Sequence, residues 1–202
     1  MKLITPSYLK KGDTVAIIAP AGILINREAV IKKAVDLLES WDLQVVFCNH
    51  VFTKSNHFAG ADEERIEDFQ KAFDNPNIKA IWCARGGYGS VRIIDHLDFN
   101  QFLKQPKWII GYSDVTVFHN HIHNLGIETL HAIMGTSMQD DIAIINESVE
   151  TLRKAIFGET LEYQLPSNQN NSVGAVTGQL VGGNLAILAS LLCSTIHLYS
   201  TV

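Results

Sequence analysis

The sequence predicts an α/β protein: a doubly wound, mostly parallel sheet, followed after a linker by a further segment. Three observations predict it. Short apolar runs at 14–19, 78–84 and 108–112 are apolar on both faces, as strands buried inside a parallel sheet are. Stretches with helical spacing separate these runs at the pace of βαβ units. Two of the runs lead straight into turns, Arg85-Gly86-Gly87-Tyr88-Gly89-Ser90 and Gly111-Tyr112-Ser113-Asp114. Both turns fall at strand carboxyl ends, where such sheets bind their ligands.

In order along the chain, Lys11-Gly12-Asp13 is a turn and 14–19 is the first strand, closed by Pro20-Ala21-Gly22. Asn26 is placed to cap a helix running to about Trp41, with Val30, Ala34, Leu37, Leu38 and Trp41 along one face. Residues 43–48 form the second strand. A polar loop, 53–60, leads to a helix over 62–73 that buries Ile66, Phe69 and Phe73. Asp74-Asn75-Pro76-Asn77 is a dense turn signal before the third strand, 78–84. A short helix with Val91, Ile94 and Leu97 inward follows, then a helical turn at 99–103 and the fourth strand, 108–112. A helix over 114–125 ends at Gly126, and 128–133 is the fifth strand. Asn146 caps a last helix to Phe157 that buries Val149, Leu152 and Ile156, and 161–165 reads as a short strand.

After Pro166 the composition changes. Ser167-Asn168-Gln169-Asn170-Asn171-Ser172 is a polar linker, which divides the chain into 1–166 and 167–202. Residues 173–181 are strand-like, and Gly182-Gly183-Asn184 opens a helix over 185–192 that is apolar nearly all round. Such a helix needs burial on several sides. With few residues left to cover it, the segment 182–202 is expected to drive self-association.

A net charge of -5 and the lack of any basic run give no electrostatic reason to expect nucleic acid. No secretory h-region is visible and no apolar run reaches the ~18 residues a membrane span needs. Cys48, Cys83 and Cys193 are scattered in or beside apolar runs, which suits buried thiols in a reducing compartment. The expectation is a cytoplasmic protein.

Ser113 is the candidate nucleophile. A serine at a sharp strand-to-helix turn projects its hydroxyl off the sheet, beside amides free at the helix start. Ser-Asp is equally an ordinary helix cap. The glycines of 85–90 let backbone amides approach a phosphate or a developing oxyanion, or they make a tight turn. Neither the dinucleotide fingerprint nor a P-loop lysine accompanies them. His119, His121 and His123 follow Ser113, and His119 and His123 stand one helical turn apart without an evident third metal ligand. His131, at the end of the fifth strand, is placed to line the same cleft, and a local Ser113–His131 pair is open. Asp114 and Glu128 have no decisive triad spacing.

The order of Leu9 to Pro20, Arg85-Gly86-Gly87-Tyr88-Gly89-Ser90, Gly111-Tyr112-Ser113-Asp114, Thr129-Leu130-His131 and Gly182-Gly183-Asn184-Leu185 resembles the LD-carboxypeptidase family, which also contains the microcin-immunity serine peptidases. The resemblance implies a Rossmann-like N-terminal domain and a smaller C-terminal one. It implies Ser113 as nucleophile, the amides of Gly87 and Asp114 as oxyanion hole, and a cleft flanked by Gly86, Arg85, Tyr112 and His131. The implied reaction is hydrolysis of an L,D amide bond to a terminal D-alanine in murein peptides, with no metal or organic cofactor. The family's catalytic glutamate and histidine follow the Gly-Gly-Asn-Leu motif, and neither His131 nor His197 matches the histidine position. The expectation is therefore a shortened frame with impaired hydrolysis. A non-catalytic murein-peptide-binding module and an α/β nucleotide-binding domain are the alternatives.

Overall fold

The computed structural model describes residues 3–172, 174–192 and 194, and of Ile142 the backbone alone. Five parallel strands lie in the order β2-β1-β3-β4-β5. They are β1 (Thr14–Ile18), β2 (Gln44–Phe47), β3 (Ile78–Cys83), β4 (Trp108–Gly111) and β5 (Leu130–His131). The helices are α1 (Glu28–Ser40), α2 (Asp62–Asp74), α3 (Ser90–Ile93), α4 (Asn100–Lys104), α5 (Thr116–Asn124), α6 (Ile142–Phe157) and α7 (Leu185–Ser190). Single 3₁₀ turns occupy Ile94–His96, Ser113–Val115 and Gly135–Gln139. The chain moves outward from β1 to β2, returns to β3, and then moves the other way through β4 to β5. The topological switch therefore lies between β1 and β3, which puts a crevice at their carboxyl ends.

Alternation along β1, β3 and β4 feeds a core on each face. Ala16, Ile18, Ile81, Cys83 and Ile109 pack with Phe69, Phe73, Phe102, Phe118 and Ile122 from α2, α4 and α5. Val15, Ala80, Trp82, Trp108 and Ile110 pack on the opposite face with Ala34 and Leu38 of α1 and Leu152 and Ile156 of α6. The three predicted double-faced strands are thus buried on both sides, whereas the edge strand β2 is mostly exposed.

Several local expectations need correction. Asn26 does not cap α1. It lies in the left-handed region at φ 56°, and the helix starts one residue past Arg27 with no side-chain cap. α6 starts before Asn146, because the Asp141 carboxylate accepts from the Ala143 N–H at 2.9 Å and caps the helix there. β5 is two residues long rather than six, since Ile127 pairs with Ile4 and the chain beyond His131 turns toward the 135–139 helix. No strand forms at 161–165 or over the described residues of 173–181; a strand needs a partner, and Leu165, Val176 and Leu180 stand in the open. Asn184 does cap α7, its side chain accepting from the Ile187 N–H. That helix is not covered all round. Leu191, just beyond it, joins the α5-side core with Ile187, while Leu185 and Leu192 are 79% and 67% exposed. The rest of the expected tail, from 195 on, lies outside the described residues, as does Cys193.

Candidate active site

β4 delivers the serine turn. At Gly111 a side chain has no room, because its Cβ would stand 2.8 Å from a Val115 methyl. Tyr112 is extended and Ser113 then turns to φ 60°. Among the described residues the other non-glycines at positive φ are Asn26, Asp42 and Asn56, types that tolerate this region. Serine does so at a cost of about 1–2 kcal/mol. The buried Asp114 and Val115, which follow it into the 3₁₀ turn, hold it there. Ser113 itself is half-buried and Tyr112 is 40% exposed.

β3 delivers the facing turn. Gly86 lies against the serine: a Cβ on it would stand 3.3 Å from the Ser113 Cβ and 3.5 Å from the Asp114 nitrogen. Its carbonyl accepts from the Gly22 N–H at 3.1 Å. Carbonyl and N–H point opposite ways across a trans peptide, so the Gly87 N–H is directed away from the Gly22 loop. Gly87 and Gly89 have φ of +130° and +151°, positions that favour glycine.

Two arginines brace this turn from behind. The Arg85 guanidinium donates to the Ile23 carbonyl at 2.5 Å, so it ties the turn to the 20–24 loop. Arg65, 2% exposed, donates from Nη1 to the carbonyls of Pro20 (2.6 Å) and Gly89 (3.0 Å) and pairs with Asp62. Asp62 also pairs with Arg92, which holds its carboxyl below the usual range, and both arginines lie over the Phe58 ring. Arg65 escaped the sequence reading because it sits among charged residues at the start of α2, which read as a solvated face.

The histidines divide by environment. His119 is buried, with Nε2 2.9 Å from the Gly111 carbonyl and Nδ1 2.8 Å from the Thr129 hydroxyl. A carbonyl only accepts, so the proton sits on Nε2 and the Thr129 hydroxyl donates to Nδ1. Desolvation pushes its pKa down to about 4. Both nitrogens are therefore committed to the fold, and the His121 ring lies tilted against Phe99, 4.6 Å between centroids. Among the described residues no three His, Cys, Asp or Glu side chains converge as metal ligands. His131 is exposed, its ring 6.3 Å from that of Tyr112 and 5.8 Å from that of His119. The structure thus brings Gly86 against Ser113 and the Asp114 nitrogen at the exits of β3 and β4, with Gly87 and Tyr112 adjoining them in the chain and the His131 ring beside Tyr112. Gly183 is seated so tightly on Thr116 that no side chain would fit there.

The sequence pattern of the LD-carboxypeptidase N-terminal domain matches residues 15–132, and the chain belongs to the LD-carboxypeptidase family. The chain is 36% identical over 195 residues to a probable murein peptide carboxypeptidase of Bacillus subtilis (strain 168), covering 93% of this chain and 59% of that protein. It is 31% identical over 184 residues to a murein tetrapeptide carboxypeptidase of Pseudomonas aeruginosa, covering 88% of this chain and 59% of that protein. The chain spans about three-fifths of the length of these curated relatives. Among solved structures, muramoyltetrapeptide carboxypeptidase from Oxalobacter formigenes superposes with a TM-score of 0.78 at 27% identity, over 92% of this chain and 62% of that one. The microcin C7 self-immunity protein MccF superposes with a TM-score of 0.83 over 97% of this chain and 68% of that one. At 20% identity, that likeness concerns the fold alone.

Proposed function

We propose that this chain carries the nucleophile half of a serine-type carboxypeptidase that hydrolyses the L,D amide bond to a terminal D-alanine in murein peptides. The observation that carries the reading is Ser113 in the left-handed region, at a strand-to-helix turn packed against Gly86. In this reading the Ser113 hydroxyl attacks the scissile carbonyl, and the amides of Gly87 and Asp114 receive the oxyanion. The acyl-enzyme forms as D-alanine leaves, and water then releases the shortened peptide. Gly86 leaves room for the substrate, Tyr112 and His131 flank it, and Arg85 acts through the loop it ties. The relatives' names support the peptide class. The reading takes residues 1–166 as the nucleophile domain and 167–202 as the linker and start of a second domain.

No histidine or carboxylate among the described residues is hydrogen-bonded to the Ser113 hydroxyl. A serine site without its base typically loses several orders of magnitude in rate, keeping the oxyanion hole and binding. Residues 1–202 alone are therefore expected to bind a D-alanyl peptide and release D-alanine only slowly. The reading also places the protein in the cytoplasm; among the described residues no helix is long and apolar enough to cross a membrane. It further includes pairing of chains through 182–202, where Leu185 and Leu192 are open.

The test is binding of an alkyl boronic acid, which becomes tetrahedral on a nucleophilic serine, alongside D-alanine release from a murein tetrapeptide. Boronate binding lost in Ser113→Ala, with residual release lost in parallel, is the expected result. Equal boronate affinity in wild type and Ser113→Ala refutes the assignment.

A further inference from the structure

We propose that the Asp114 carboxylate is a positioning residue: it ties the serine turn to the glycine turn and so sets the spacing between the two banks of the pocket. The proposal rests on the serine-nucleophile reading for its catalytic consequence, and on geometry alone for the spacing.

Asp114 directly follows Ser113 and is 1% exposed. Its backbone nitrogen lies on the serine bank, 3.5 Å from where a Cβ on Gly86 would stand. Its side chain grips the other bank. Oδ2 accepts from the Ser90 N–H at 2.9 Å, and the Gly89 amide adds to the same attraction. Ser90 begins α3, where the glycine turn ends. One residue thus supplies an amide to one bank and a tether to the other, with no intervening chain to absorb slack.

The turn needs such tethers. Glycines 87 and 89 have no side chains to lock them, and an oxyanion hole works only when its donors are fixed before the charge forms. Besides the Arg85 side chain, which ties the turn to the 20–24 loop, three pins hold its backbone. Gly22 holds the Gly86 carbonyl, Arg65 holds the Gly89 carbonyl, and Asp114 holds the Ser90 amide. Asp114 is the pin that spans from the serine turn. Burial favours its neutral form, and the Ser90 and Gly89 donors together with Arg65 counter that. Removing the carboxylate leaves the buried Ser90 N–H without its acceptor and frees the end of the turn to move relative to Ser113.

The test uses the 202-residue chain as wild type, Asp114→Ala, Asp114→Asn and Ser113→Ala. Amide hydrogen exchange at Ser90, whose N–H is the one bonded to Asp114, reads the tether without any need for a nucleophile. Asp114→Ala is expected to speed exchange at Ser90 at least tenfold with β1 unchanged. Asp114→Asn, which keeps an accepting oxygen of the same reach, is expected to return it to within about threefold of wild type. Should Asp114→Ala not fold, Asp114→Ser, too short to reach Ser90, takes its place. A fluorophosphonate probe then separates maximal labelling rate from half-saturation. The expected loss in Asp114→Ala is at least tenfold in the rate with half-saturation within twofold, recovered in Asp114→Asn. Unchanged exchange at Ser90 overturns the proposal, as does a labelling rate unchanged in Asp114→Ala when wild type labels at Ser113. Changed exchange with neither label at Ser113 nor Ser113-dependent boronate binding in wild type supports the tether and overturns the nucleophile reading instead.

Discussion

Acid stability gives a quantitative check on the architecture behind the serine. His119 holds the end of β4 by donating from Nε2 to the Gly111 carbonyl, two residues before Ser113, and must stay neutral to remain buried. In the folded chain its pKa is about 4, against an ordinary value of 6.5. Between those values the unfolded chain binds the extra proton, so unfolding free energy falls as pH falls. The contribution is complete above about pH 6.5 and gone below about pH 4. A shift of this size is worth ~3 kcal/mol, at 1.36 kcal/mol per pKa unit. The perturbation is His119→Gln, whose amide retains a donor for Gly111 and does not titrate. At pH 7.5 it is expected to cost about 1–2 kcal/mol for the imperfect replacement of two hydrogen bonds. Because wild type alone loses the further ~3 kcal/mol on acidification, at about 1.36 kcal/mol per pH unit below 6.5, the deficit closes between about pH 6 and pH 5 and is reversed at pH 4. Urea unfolding of both chains from pH 4 to 7.5 measures this. His121, Asp68 and Asp114 are shifted too, but they are common to both chains and cancel in the difference. A stability difference that is the same at pH 4.5 and 7.5, or a His119 ring signal titrating near 6.5 in the folded protein, refutes the reasoning.

Other positions give sharp outcomes. Ser113→Gly relieves the φ of 60° and is expected to raise stability by up to about 1 kcal/mol, whereas Ser113→Ala, which keeps a Cβ there, gives no such gain in thermal melts. Lys107 is 2% exposed and donates from Nζ to the carbonyls of Ala72, Phe73 and Asn75 at the end of α2, so Lys107→Met should cost about 2–4 kcal/mol in denaturant unfolding. The open Leu180, Leu185 and Leu192 lead us to expect concentration-dependent association in sedimentation, lost on deletion of 182–202; a monomer at tens of micromolar, unchanged by the deletion, removes that expectation.

The sequence was most legible where burial acts on both faces of a strand. β1, β3 and β4 are runs with almost no polar residue, so pattern and structure coincide. Helix starts were harder, because Asn26 and Asn146 have the chemistry of a cap but Arg27 and Asp141 have the position. The runs at 161–165 and 173–181 look like strands, yet alternation specifies only a face and not a partner. Arg65 and the structural role of His119 escaped the sequence reading for a related reason. A histidine on a helix and an arginine among acids look solvated until the chain brings Gly111, Thr129, Pro20 and Gly89 to them.

The candidate site was legible for a deeper reason, which lies in strand order. β1, β3 and β4 are neighbours about 4.8 Å apart, so their exits must stand side by side. The exit of β1 brings Gly22, that of β3 brings Gly86-Gly87, and that of β4 brings Ser113. The middle loop is squeezed from both sides: Gly22 bonds its carbonyl and Ser113 crowds the position a Cβ would take. Glycine at 86 is thus a packing requirement, and the same compression aims the Gly87 amide away from β1. This argument forbids a compensating exchange. Gly86→Ala should displace Ser113 or the Asp114 amide by a few tenths of an ångström even where the chain folds fully, since the 3.3 Å contact is with a Cβ held by a strained backbone. A folded Gly86→Ala that binds the boronate as tightly as wild type would mean that the two banks are not in register, and the serine turn would then be only a turn.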